Sequence, residues 1–488
     1  MKLFQIVALA LLASVLSVGI ANAQSWIPVA NPAPEGVGPM LQLRDGRVLV
    51  NGTDNYNFFY ILTPDATGNY ANGTWSAGYS LPSGYGPLYY GSAVFLDGKT
   101  VIVEGGEYNF GSSSWTNLGA LGTYTPFPGG GITWVSNSPP SGWSRIGDAE
   151  SSLMANGQYM QANCCTNQNA IYCGPSCWNA TGSVHQGNND ESGFTALPNG
   201  LVLTVDTKSA GACGSSKASE LYDYNTGVWS CGPQTPVQLY NPSDEELGAA
   251  VLMYNGRVLQ IGGNVVATAI YDPVANVWAA GPTPPQGLNQ ADGPAALEPN
   301  GKVLAMMSPG LFGSGCHFTE YDPTTNLMTL AAGGDSPQCP GDSSYYGHLM
   351  ILPTGQIASA DFGPQIYLYN PGGTPPAGVA PLIIAKSNVV LGGSKNNILY
   401  GRNLNGLSEN NAYGDDYQAS TNYPLIRFTN GSGNVWYGLT HDDSTHSIAP
   451  GTISYTEFDL NPAMAPGQYT MQVVTNGIGS NGVLINVR

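Results

Sequence analysis

Two of the chain's five histidines, His441 and His446, flank a pair of aspartates in the run HDDSTH. Imidazole beside carboxylate suits a metal ligand set, an acid–base pair or a hydrogen-bonded turn. A second concentration of chemistry lies upstream. Carboxylates recur as Asp148 and Glu150 in RIGDAESS, Asp190 and Glu191 in NNDESGF, and Glu245 and Glu246 in SDEELGAA. Asp292 in NQADGPAA and Asp342 in GDSSYYGH continue the series. The chain carries only 32 acidic residues, so their return at such regular stations implies an element that repeats with them.

Crowded carboxylates support three readings. As hard oxygen donors they bind a cation such as Ca2+, with Asp148, Glu191, Glu246, Asp292, Asp342 and His441 as ligands. As like charges they raise one another's pKa, so that one serves as acid and another as base. Asp148, Glu191 and His441 are then the catalytic groups. The substrate would be a neutral carbohydrate held by Tyr89, Tyr345, Tyr346, Asp190 and Asp442. In the third reading the same groups cap strand ends and bind backbone N–H groups or water.

The elements that must position these groups are legible as a repeat. A short apolar run, a turn ending in glycine and a second apolar run recur in seven copies, from MLQLRDGRVLV to MILPTGQIASA. The turn glycines are Gly46, Gly98, Gly157, Gly200, Gly256, Gly301 and Gly355. Asp-Gly and Asn-Gly between such runs signal hairpins, because the turn needs positive φ. A second phrase follows each copy, an aromatic strand, a turn and usually a tryptophan, as in YDYNTGVW and YDPVANVW. Each repeat thus supplies four strands, and the spacing suits propeller blades. The seventh copy lacks its tryptophan, but Gln24-Ser25-Trp26-Ile27 at the start of the mature chain has one. A strand at 24–28 is expected to close the ring, because unpaired sheet edges invite association. After Pro376 the phrase disappears, and seven short alternating strands suggest an immunoglobulin-like sandwich. The expected organisation is all-β: a leader at 1–23, a seven-bladed kelch-type β-propeller at 24–375 and an immunoglobulin-like β-sandwich at 376–488.

Composition agrees. Glycine and proline are frequent, at 65 and 36 residues, yet 42% of the chain is hydrophobic, which fits a turn-rich β protein and not a disordered one. The opening MKLFQIVALALLASVLSVGIANAQ has the charge, short apolar run and small-residue end of a secretory signal. The protein is therefore expected to be secreted, periplasmic or on the cell surface, without membrane insertion, and a monomer. A net charge of −18 argues against nucleic acid as a partner. Eight cysteines in an exported chain suggest disulfides: Cys213–Cys231, Cys316–Cys339 and two within 164–177. His185 and His317 read as surface or satisfied core histidines, and Tyr413-Gly414-Asp415-Asp416 as a polar loop near His441.

This arrangement resembles galactose oxidase and its bacterial kelch relatives, most specifically in YGLTHDDSTH followed by PGQYTMQVVTNGIGSNGVLINV. The resemblance implies that a loop of the C-terminal module carries a histidine, here His441, to copper on the propeller axis. It also implies a tyrosine cross-linked to a cysteine and an adjacent Tyr-His pair on inner strands, about nine positions before the turn glycines. Those positions hold Val37, Tyr89, Asp148, Glu191, Leu247, Asp292 and Tyr346. Asp148 stands at the cysteine place, Glu191 at the cross-linked tyrosine place, and Tyr345-Tyr346 at the Tyr-His pair. His348 would serve only with a register slip of two. Carboxylates in place of the cysteine and its tyrosine remove the redox cofactor, so copper-radical oxidation is not expected. Carbohydrate or glycan recognition, with or without non-oxidative processing, leads. A copper-radical oxidase and a non-catalytic adhesive surface protein are the alternatives.

Overall fold

Each glycine-ended turn closes on itself before any tertiary contact is needed. In the second repeat Gly98 takes φ +74°, and the Asp97 carboxylate accepts from the backbone N–H of Lys99 and Thr100 at 2.9 and 2.8 Å. The strands so joined lie in register with the next hairpin, and aromatic partners face each other across it. Tyr222 pairs with Trp229, Tyr271 with Trp278, and Tyr321 with Met328. Ring centroids in the first two pairs are 5.0 and 5.1 Å apart, within the range where aromatic pairs add stability beyond their buried area.

A computed structural model of the chain describes residues 24–182, 189–208, 213–413 and 420–488. The expected leader, His185 and Gly414-Asp415-Asp416 lie outside the described residues. The architecture is all-β, and helix among the described residues is limited to single turns at Tyr70–Asn72, Pro285–Gly287 and Ser344–Tyr346. Among the described residues, seven antiparallel sheets each contain a four-strand meander. Their inner strands are Val37–Gln42, Gly91–Val94, Ser151–Leu153, Thr195–Ala196, Leu247–Leu252, Ala295–Leu297 and His348–Ile351. These strands neighbour one another in that cyclic order, and His348–Ile351 returns to Val37–Gln42. The inner strands are covered on both faces, so Val37–Gln42 and Leu247–Leu252 are buried throughout, whereas an outer strand such as Val228–Cys231 buries only its tryptophan. The outer strand of the seventh sheet is Ser25–Pro28, which pairs with Tyr367–Asn370. Trp26 there faces Tyr369, with centroids 4.9 Å apart, as Trp229 faces Tyr222.

Four disulfides, Cys164–Cys165, Cys173–Cys177, Cys213–Cys231 and Cys316–Cys339, account for all eight cysteines, which fits an oxidising compartment. No helix among the described residues is long and apolar enough to cross a membrane.

From Leu382 onward, strands join in one continuous nine-stranded sheet. Its alternation is plain in Leu382–Lys386, where Ile383 enters the core while Leu382 and Ile384 face out. This sheet seats on the turn face of the ring. A Cβ on Gly46 would stand 2.5 Å from the Tyr437 ring, one on Gly98 3.1 Å from the Cβ of His441, and one on Gly157 3.2 Å from His446. Glycine at these turns therefore serves both positive φ and close approach. Between these contacts Arg44, buried in its own hairpin, meets Asp443 at 2.6 Å, and its guanidinium lies 4.5 Å from the centre of the Tyr423 ring. One segment goes further inward. Asn411–Ala412 adds to the inner edge of the sixth sheet, pairing with Ala295 and Ala296.

The Arg44–Asp443 pair is fully desolvated. Asp443→Ala strands a buried guanidinium and is expected to cost about 3–5 kcal/mol in urea unfolding. The double variant Arg44→Met/Asp443→Leu should recover most of that loss. Several carboxyls are also deeply buried. Burial raises Glu409 to about 7 and Asp206 to about 6, and burial with Glu320 alongside raises Glu298 to about 8. Each binds its proton more tightly folded than unfolded, so its contribution is complete below about pH 4.3 and lost as pH rises toward 8. Asp223 and Asp272, lowered by the backbone N–H of Asn225 and Ala275, act oppositely but only below about pH 4. Burial lowers His348 and His446, which oppose this trend below about pH 6.5, so the melting temperature should fall most clearly from pH 6.5 to pH 8. Glu409→Gln should flatten that slope in thermal melts.

Candidate functional site

The inner strands all begin on the face of the ring opposite the seated sheet, and the residues just before them converge. Tyr89 precedes Gly91–Val94, Asp148 precedes Ser151–Leu153, and Glu191 precedes Thr195–Ala196. Glu246, Asp292 and Tyr346 stand in the same relation to the fifth, sixth and seventh inner strands. All six line one cavity of about 480 Å³ on the axis. The backbone is turned sharply there. Tyr89, Glu191, Glu245 and Asp292 take φ of 50°, 57°, 65° and 46°, a left-handed conformation unusual for such side chains. The same departure recurs in four sheets where the chain enters the inner strand, which ties it to the pocket and not to one loop.

One side of the cavity is acidic. Oxygens of Glu191, Glu246 and Asp292 lie within 4.8 Å of one another, as do those of Asp148, Asp190 and Glu191. The Glu246 carboxyl lies within hydrogen-bonding reach of both Glu191 and Asp292. Burial raises the Glu246 pKa, and Asp244 and Asp190 add to it. Glu107, from the loop after the second strand of its sheet, also lines the cavity, and burial pushes it up to about 7. Tyr108 beside it is raised to about 12 by burial and by Glu107.

The other side is aromatic. Tyr345 and Tyr346 have centroids 4.2 Å apart, Phe312 stands 5.1 Å from Tyr345, and Phe362 5.7 Å from Tyr346. Tyr89 lies 6.0 Å from Tyr108 and 5.8 Å from Tyr413, and Tyr56 completes the lining. The Tyr413 hydroxyl donates to the Tyr345 carbonyl at 2.8 Å. Tyr413 follows the strand that the C-terminal region inserts into the sixth sheet, so that region closes the inner end of the pocket.

Four expected participants stand elsewhere. His441 ends strand Val435–His441 beside the Asp97–Gly98 turn, where its ring meets Asp442 at 2.8 Å and Asp459 at 3.3 Å. It does not line the cavity, because the sheet that carries it seats on the turn face and the carboxylates gather at the other. Asp442 stays with it, its backbone N–H donating to Leu96 and its carboxylate largely exposed. Asp342 turns away from the cavity toward Asp361, and burial and that neighbour raise it to about 7. Asp190 stands behind Asp148 and Glu191, held by Lys208 at 2.7 Å. Tyr413, expected in a polar loop near His441, is on the axis instead. His348 is buried, its ring 5.5 Å from those of Tyr413 and Phe362, and burial lowers it to about 3. His317 pairs with Asp335 at 2.8 Å on the surface. Glu107, Phe312 and Phe362, from loops between strands, and Tyr108, from the short strand Tyr108–Asn109 outside the four-strand meander, lie beyond the reach of the glycine register. Only the acidity of EGGEYNF hinted at Glu107 and Tyr108.

No family model and no curated protein matches the chain. Among solved structures it is similar to a fungal alcohol oxidase of the AA5 family, solved in complex with copper. That likeness has 15% identity and a TM-score of 0.52, over 96% of this chain and all of the other. It is also similar to virginiamycin B lyase from Staphylococcus aureus, with 12% identity and a TM-score of 0.48, over 71% of this chain and 98% of the other. Streptogramin B lyase gives 10% identity and a TM-score of 0.49 over the same shares. At these identities the first likeness speaks for the fold alone, and the chain has a galactose oxidase-like β-propeller fold.

Proposed function

We propose that the protein is exported and binds a carbohydrate in the axial pocket, with the acid–base groups for non-oxidative processing. The observation that carries this reading is the facing of an aromatic wall and a carboxylate wall across one 480 Å³ cavity. Rings cover the apolar faces of a sugar, and carboxylates accept from its hydroxyls. Tyr89, Tyr345 and Tyr346 serve as platforms, and Asp148, Glu191, Glu246 and Asp292 as acceptors. Glu107, pushed up to about 7 by burial, can exchange a proton near neutral pH, and the carboxyl of Asp148 lines the same cavity as its partner in acid–base work. In this reading residues 1–23 are a signal peptide, 24–375 a seven-bladed kelch propeller and 376–488 an immunoglobulin-like module, and the protein is monomeric.

The donor set does not fit a copper-radical centre. Among the described residues the cavity lining has no cysteine and no imidazole, every cysteine is in a disulfide, and His441 lies at the opposite face. A hard cation such as Ca2+ is a second reading, favoured by the three close oxygens of Glu191, Glu246 and Asp292.

Binding to a panel of soluble neutral, acetylated and amino oligosaccharides tests the proposal, with tyrosine fluorescence as the readout. Tyr346→Ala should weaken the best ligand roughly five- to twentyfold, on the order of 1–2 kcal/mol for a lost ring. His441→Ala should leave binding unchanged. Absence of binding to every saccharide, or equal loss in His441→Ala, would overturn it.

A further inference from the structure

An antiparallel sheet with one face in water carries polar side chains on that face. Two long strands of the C-terminal sheet follow the rule. Arg427 and Thr429 of Leu425–Asn430 pair with Gln472 and Thr470 of Gly467–Thr475 on the outward side, while Ile426, Phe428, Met471 and Val473 enter the core. The three strands at the other end of the sheet do not. Leu382 and Ile384 on Leu382–Lys386, Ile398 and Tyr400 on Asn397–Arg402, and Ile453 and Tyr455 on Ile453–Asp459 point outward, each 38% to 56% exposed. Their inward neighbours Ile383, Leu399 and Phe458 already fill the core.

The register makes these six one patch. Tyr400 pairs with Tyr455, ring centroids 5.9 Å apart, Arg402 pairs with Leu382 and Ile453, and Ile398 pairs with Glu457. Together the six expose on the order of 500 Å² of side chain, about as much as the largest apolar patch on a typical monomer. Two such faces in contact bury roughly 1,000 Å², the low end of specific interfaces and the range of reversible pairs.

Charge picks the occupant. Arg402 stands at one end of the patch, and Glu457 lies four residues along and one strand across, about 14 Å away. Asp442, with its side chain 67% exposed, has an oxygen within 4.8 Å of one on Glu457, so that end is acidic twice over. A two-fold axis in the contact plane, crossing the strands at the tyrosines, turns the basic end of one copy onto the acidic end of the other. The match occurs twice, because a two-fold interface is self-complementary, and aligned sheet faces pack well. A neutral apolar surface would bury Arg402 and Glu457 with no opposite charge. Edge-to-edge pairing is disfavoured, since Leu382–Lys386 carries a bulge between Ile383 and Ala385.

We propose that two copies of the chain pair through this face, reversibly and at high concentration. The monomer of the reading above is the dilute form, and the pairing is independent of what the axial pocket binds. The sheet seats on the turn face of the ring and the carboxylates gather at the other, so pairing leaves both pockets uncovered.

The test is sedimentation velocity of the purified chain from about 1 to about 500 µM, in about 0.05 and 0.5 M salt. A one-chain species should give way to a two-chain species as concentration rises, with dissociation at least about threefold easier in high salt. Ile453→Ser and Tyr400→Ser, both at exposed positions, should each weaken pairing at least about tenfold and leave thermal melts unchanged. Arg402→Glu and Glu457→Arg should each weaken it, and the double variant should restore it. At about 14 Å apart within one chain, the two cannot rescue each other except across the pair. A one-chain species at every concentration, pairing untouched by Ile453→Ser, or a charge swap that fails to restore it would overturn the proposal. One-chain protein that instead sediments with phosphatidylcholine vesicles, and loses them in Ile453→Ser, would overturn it in favour of a lipid surface.

Discussion

Everything in the pocket depends on closing a circle of sheets with strands from both ends of the repeat region. The aromatic wall is built from Tyr89 before the second inner strand and Tyr345-Tyr346 before the seventh. Those walls face each other only because the seventh inner strand packs against the first. The seventh sheet is completed by Ser25–Pro28, whose Trp26 packs on Phe318 of the sixth sheet and Tyr369 of its own. Four residues near the amino terminus thus hold together walls that lie hundreds of residues away. An open ring would expose two sheet edges and separate the rings from the carboxylates.

Closure also sets the electrostatics. Carboxylates spread along a chain of low charge density are unremarkable. Brought to one hub they are desolvated together, and burial with Asp244 and Asp190 nearby raises Glu246. The same economy runs through the rest of the molecule, where Glu104, Glu298 and Glu409 are buried with amides, hydroxyls or backbone groups for company. The chain has 14 lysines and arginines for 32 acids, so most carboxyl groups must be satisfied without an ion pair.

The convergent part of the site was readable in sequence because each turn glycine is a ruler. Counting back along one hairpin arm reaches the start of an inner strand, and Tyr89, Asp148, Glu191, Asp292 and Tyr346 all line the cavity. The ruler fails where a side chain's direction depends on another module. HDDSTH resembles a copper-binding loop by motif, yet His441 ends a strand of a sheet that docks by Tyr437, His441 and His446 against turn glycines. Its imidazole is thereby fixed on the wrong face. Asp342 fails for a smaller reason, since a single turn at Ser344–Tyr346 separates it from its inner strand and lets it face Asp361. Tyr413 was out of reach of any periodicity, because it arrives by a strand inserted from outside the repeat.

That inserted strand has a consequence for how such a protein is taken apart or reassembled. Asn411–Ala412 supplies part of the hydrogen bonding on the hub side of the sixth sheet, and Tyr413 next to it forms the far wall of the cavity. Trimming the tail would not yield a smaller working propeller. It would leave an uncapped backbone edge inside the hub and take Tyr413 out of the cavity lining. Any recombination that exchanges carboxyl-terminal modules between such proteins therefore exchanges part of the recognition surface too, and chimeras must keep hub and tail from the same parent.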